Sequence, residues 1–97
     1  MTELDGCIDL PGHVLILYRQ YRLAVNPDQA FALLEMGKEL PIGTHDICGG
    51  TVVLSAHSEA GRRLNCDRCR HLRLSLPLTV TTPRLLVEHF KQLTAGS

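Results

Sequence analysis

Residues 13–25 read HVLILYRQYRLAV, an apolar run whose reading decides the architecture. Val14, Leu17, Tyr18, Tyr21 and Val25 recur at helical spacing and would share one face. With Pro11 and Gly12 ahead of it, the run predicts a helix. The next segment, NPDQAFALLEMG (26–37), carries the start and stop signals of a second one. Asn26 can cap it, Pro27 suits the first turn, Asp28 favours the positive end of the dipole and Gln29 can close a capping box. Ala30, Phe31, Leu33 and Leu34 make its apolar side, and Gly37 is a stop signal.

Working outward, the pattern changes after Pro41. TVVLSA (51–56) is β-branched and short, SEAG (58–61) is turn-like, and RRLN (62–65) leads back. HLRLSLPLTV (71–80) alternates with period two, which puts Leu72, Leu74, Leu76, Leu78 and Val80 on one face. Pro77 assigns this strand to a sheet edge. In TTPRLLVEHFKQL (81–93) Thr82 caps a helix, Pro83 takes its first position, and Leu86, Phe90 and Leu93 lie on one side. The expected fold is α+β: two N-terminal helices, a zinc-ribbon-like β hairpin with an added strand, and a C-terminal helix. The 97 residues suit a single domain, with a helical part over about 10–40, a ribbon over about 42–80 and a final helix over about 82–94.

The chemistry concentrates in THDICGGTVVLSAHSEAGRRLNCDRC, residues 44–69. Cys66 and Cys69 form CxxC; His45 and Cys48 form HxxC, followed by Gly49 and Gly50. Two ligands with two residues between them can grip one ion, because a tight turn carries both side chains to the same side. The seventeen residues between Cys48 and Cys66 suffice for a hairpin whose ends return to that ion. The candidate ligands of a Zn2+ are therefore His45, Cys48, Cys66 and Cys69. Four ligands close the site, so the zinc is expected to be structural. His57 and His71 compete with His45 for the fourth corner. A redox CxxC would open a helix in a thioredoxin-like βαβ unit, which this order of elements lacks. Cys7 reads as a free thiol, and His13 and His89 as ordinary helix residues.

The formal net charge of zero hides an asymmetry. Residues 1–60 hold three basic and eight acidic side chains, 3 − 8 = −5, and residues 61–97 hold seven and two, 7 − 2 = +5. Arg62, Arg63, Arg68, Arg70 and Arg73 crowd around the CxxC, a pattern suited to a phosphate backbone. There is no apolar run long enough to span a bilayer. The acidic start MTELDGCIDL lacks the basic region of a signal peptide. A cytoplasmic location is therefore expected, where paired cysteines more often bind metal than form disulfides. There is no nucleophile beside a base, no carboxylate pair and no glycine-rich phosphate loop, so an enzyme is not expected.

The stretch LLEMGKEL, HDICGG, TVVLSAHS, EAGRRLNCDRC resembles the zinc-binding C-terminal part of the C subunit of the flagellar master transcriptional activator (FlhC) and its relatives on conjugative elements. In that family C-x-x-C-G-G is followed by a strand, a histidine and C-x-x-C. Here Cys48, Cys66 and Cys69 match three ligands, His45 stands where the first cysteine would be, Gly49 and Gly50 match the paired glycines, and His57 matches the histidine. The resemblance spans about residues 12–70 and leaves the strand and helix after Arg70 without a counterpart. It implies a DNA-binding transcriptional activator that works with a D-type partner subunit, and a zinc that holds the fold. The alternative expectation is a zinc-ribbon protein–protein interaction module, a homodimer or adaptor, without direct DNA binding.

Overall fold

A computed structural model describes residues 5–29, 31, 36–57, 61–69 and 73–95, without the side chains of residues 56, 57 and 73. Among them the chain forms β1 (Gly6–Leu10), β2 (His13–Tyr18), β3 (Tyr21–Val25), β4 (Leu40–His45), β5 (Thr51–His57), β6 (Gly61–Cys66), β7 (Arg73–Leu76) and α1 (Pro83–Ala95). The strands make one antiparallel sheet in chain order, β1 to β7.

This overturns the expected pair of N-terminal helices. Residues 13–25 are a hairpin, with Val14 opposite Val25, Ile16 opposite Leu23 and Tyr18 opposite Tyr21. The pairs alternate between buried and more open faces, the period of a strand. The hairpin turns at Arg19 and Gln20. Arg19 has a φ of 55°, uncommon for a residue with a Cβ. Its amide donates to Asp5 Oδ1 at 2.9 Å, and its guanidinium lies 5.2 Å from the centre of the Tyr18 ring. His13 is thus a strand residue. At the second expected helix, Asn26 closes a turn instead: its side chain accepts from the Asp28 amide (3.0 Å) and its carbonyl from the Gln29 amide (3.2 Å). Residues 30 and 32–35 lie outside the described set, and α1 is the only helix within it.

The later elements follow their sequence signals more closely. β5 and β6 form the expected hairpin, and β7 adds to it at the sheet edge. The turn at 58–60 and the start of the leucine-rich strand, His71 and Leu72, lie outside the described residues. The strand ends before Pro77, leaving Leu78 exposed. Thr82 caps α1 by accepting from the Leu85 amide at 3.2 Å, worth about 1 kcal/mol. A 13-residue helix is marginal alone, so α1 depends on packing. It lies on β1 and β2 and buries Leu86, Val87 and Phe90. They meet Ile16, Leu23, Leu54, Leu64 and Leu76 from the inner face of the sheet in one core. Each such side chain contributes about 1.5–3 kcal/mol when fully buried.

One irregularity positions the functional site. Leu40 opposes Leu54 and Pro41 opposes Val53, but Gly43 opposes Val52, so Ile42 is an extra residue in β4. A bulge of this kind reverses which alternate residues face inward. Without it Thr44 would point into the molecule; with it His45 does, at 4% exposure. The bulge brings β4 hard against β3. A Cβ on Gly43 would run into the carbonyl of Arg22 and come within 2.8 Å of Leu23 Cα. Gly43→Ala should therefore destabilise the chain by about 2 kcal/mol or more in denaturant unfolding. Gly6→Ala, where a Cβ meets nothing within 4 Å, should leave the midpoint within about 0.5 kcal/mol of the parent.

Candidate metal centre

Two turns build the site. The first runs from His45, the last residue of β4, through Asp46–Cys48 and the two glycines into β5. It is closed by the His45 amide donating to the Gly50 carbonyl (2.9 Å) and the Gly49 amide donating to the His45 carbonyl (2.8 Å). Asp46 ties it to the β2–β3 hairpin: its amide donates to the Gln20 carbonyl (2.9 Å), and its carboxylate pairs with Arg22 (3.3 Å). The second turn follows Cys66, the last residue of β6, and spans residues 67–69. Val52 opposes Cys66 across the β5–β6 hairpin, so both turns emerge at the same end of the sheet.

There the four expected donors converge. One ligand atom each from His45, Cys48, Cys66 and Cys69 lies within 4.8 Å of the others. His45 Nδ1 is 3.2 Å from Cys48 Sγ and 3.5 Å from Cys69 Sγ; Cys48 Sγ is 3.3 Å from Cys66 Sγ. A tetrahedral ion with bonds of about 2.0–2.3 Å separates its donors by roughly 3.5–3.8 Å, so small adjustments seat a metal among them. The donor chemistry fits as well, with three soft sulfurs and one imidazole on a mostly buried cluster. The cluster can hold a metal ion. His45 Nδ1 faces the sulfurs, and Nε2 is buried without a hydrogen-bond partner among the described residues. The ring of Tyr21, opposite His45 in register, lies 6.1 Å away and tilted 39°. Tyr21 is itself buried, which pushes its phenol up to about 12 despite the nearby Arg19.

The electrostatics divide the sulfurs into unequal partners. Burial works against a charged Cys66, but the amides of Cys69 and Arg68 and the Cys48 and Cys69 side chains outweigh it, bringing the thiol down to about 6. Cys48 is pushed up, by burial first and then by its contact with Cys66, although the Gly50 amide, 3.3 Å from its sulfur, opposes the shift. The surroundings thus favour the thiolate at Cys66 and the thiol at Cys48. The glycines make the approach of the turns possible. Gly49 has a φ of 72°, which strains residues with a Cβ. A Cβ on Gly50 would come within 2.7 Å of Cys66 Sγ.

Other sequence candidates fall elsewhere. His57 ends β5 opposite Gly61, with its side chain outside the described set, and His71 and Arg70 are outside it altogether. Arg73 begins β7, again without a described side chain. Arg62 and Arg63 lie within β6, not at a hairpin tip. Arg62 donates through Nε to the Val80 carbonyl (3.3 Å); Arg63 lies on the other face, opposite Ser55 and Ser75. Arg68 donates to the Cys48 carbonyl (3.0 Å). Cys7 is a half-buried free thiol in β1, raised chiefly by burial. Tyr21, expected on a helix face, stands beside His45 instead, and Asp67, between two ligand cysteines, accepts from the Thr51 amide at 2.9 Å.

No family model matches the chain, and neither does any curated protein or solved structure. No described helix is long and apolar enough to cross a membrane.

Metal ligands must be deprotonated, so protons compete with the ion. The proton on Cys48 has to leave, so affinity should rise with pH through the neutral range. It should fall more steeply below about 6, where Cys66 is protonated too. Competition against a chromophoric chelator across a pH series measures both regimes, and a flat profile would contradict the assignment.

Proposed function

We propose that the chain is a small zinc-binding transcriptional regulator, in which a structural zinc shapes a DNA-contacting surface. Three thiolates and one imidazole suit zinc, and four protein ligands leave no open position for catalysis. The observation that carries the DNA reading is that Arg62, Arg63 and Arg68 stand on β6 and the turn after it, the segment whose end the metal fixes. Arg62 and Arg68 each give one N–H to a backbone carbonyl. A guanidinium has five, so Arg68, on the exposed turn, retains donors for phosphate. The motif resemblance supports an activating role beside a D-type partner subunit, in the cytoplasm, and a link to mobile elements.

A second reading has its own observation. The outer face of β1 and β2 carries Ile8 at 46% and Leu10 at 40% exposure, beside Leu15 and Leu17. Such a patch favours a protein-interaction module, a homodimer or adaptor, with little affinity for DNA.

Fluorescence anisotropy with a labelled DNA duplex over a salt series separates the two. The first reading expects log affinity to fall linearly with log salt. Arg63→Ala should weaken binding similarly on unrelated sequences and lower the slope by about one. Absence of binding at low salt sinks it; a dimer in sedimentation under the same conditions would then favour the second.

A further inference from the structure

We propose that Asp67 and Arg68, the two residues between Cys66 and Cys69, are positioning residues that clasp the two ligand turns together and set the affinity of the site for its metal. The inference rests on the zinc reading above and goes beyond it to side chains that are not ligands.

Three contacts make the clasp. The Thr51 amide donates to Asp67 Oδ1 at 2.9 Å. The Asp67 amide donates back to the Thr51 carbonyl at 2.9 Å. Arg68 donates from one terminal nitrogen to the Cys48 carbonyl at 3.0 Å. Two join the turn after β6 to Thr51, the first residue of β5, and the third joins it to Cys48 in the turn before β5; none involves a ligand atom. They sit over the closest packing between the turns: a Cβ on Gly50 would come within 2.7 Å of Arg68 Cβ and 3.2 Å of Asp67 Oδ1.

The chemistry gives the clasp something to do. Two of the four donors come from each turn, and the turns are far apart in sequence. An ion that had to draw two mobile turns together would lose affinity to the entropy of ordering them. Hydrogen bonds between the turns hold the donors near their final separation beforehand, as outer-shell partners do at other metal sites. The clasp also fixes the turn that aims the Arg68 and Cys69 amides at Cys66 Sγ. It is exposed, outside the hydrophobic core, so its loss is felt at the site before it is felt in the fold.

The test is zinc affinity by competition with a chromophoric chelator, alongside far-UV circular dichroism, on the full chain. Asp67→Ala and Arg68→Ala are each expected to weaken zinc about tenfold while keeping the parental sheet signal. Asp67→Asn keeps an acceptor oxygen and should restore most of the affinity, which separates a hydrogen bond from a charge effect. Asp28→Ala removes a comparably exposed ion pair, with Arg84, outside the turns and should leave affinity unchanged. Parental affinity in Asp67→Ala and Arg68→Ala overturns the clasp and leaves the zinc reading intact. Equal loss in Asp67→Ala and Asp67→Asn also overturns it, in favour of charge. A parent chain that takes up no zinc overturns the zinc reading, and the clasp with it.

Discussion

A β-strand alternates its side chains, so a sheet that supplies metal ligands from two neighbouring hairpin ends must bring them out on the same side. The extra residue at Ile42 meets this constraint. It reverses the alternation of β4, so that Leu40 and His45 both face inward although five positions separate them. On the partner hairpin Cys66 needs no such device. It already faces inward beside Leu64, two residues earlier. The bulge is possible only because position 43 has no Cβ, and the cost of a glycine in a strand is offset by the donor it delivers. Had β4 kept its register, the imidazole would lie on the outer face with Thr44 in its place, and the cysteines would make an incomplete site.

The metal centre and the core divide the stabilisation. Small zinc modules that lack a core fold only when the ion is bound. Among the described residues this chain buries fifteen apolar side chains in one cluster, ten from the sheet, three from α1, and Phe31 and Val80 from the connecting segments. A bound ion would act at one end of that sheet, where the turns after β4 and β6 leave the core. Its folding contribution would be concentrated in those turns.

This division explains what was legible in the sequence. The donors were, because ligand spacing is a local signal: two tight turns, paired glycines and a hairpin-length gap. So was α1, since Thr82 and Pro83 mark its start whatever it packs against. Residues 13–25 were not. In VLILY nearly every position is apolar, so a helical stripe and a strand face can both be drawn through it, and Val14, Tyr18, Tyr21 and Val25 fit the helix by coincidence. A glycine or asparagine at the hairpin tip would have decided the matter. The tip is Arg19–Gln20, and its left-handed residue is held by a hydrogen bond to the distant Asp5 that no local pattern reveals. The bulge was hidden for the same reason, since Gly43 reads as a loop glycine until β3 is known to lie against it.

The arginines show the opposite limit, where a clear sequence signal misstates what each residue does. Read as charge, Arg62, Arg63 and Arg68 form one cluster. In the fold they separate: Arg62 on the inner face near Val80, Arg63 on the outer face beside Ser55, and Arg68 over the metal turns. A phosphate backbone laid along β6 would meet Arg63 first. It would reach Arg68 only if it continued past the end of the strand onto the turn that carries Cys69. Ile47 projects from the facing turn at 71% exposure, so the surface at that end pairs a guanidinium with an apolar tip. A metal bound to the four donors would fix both turns, and with them the relative placement of these two side chains. Whatever binds at that end of the molecule therefore meets a surface that the occupied site defines.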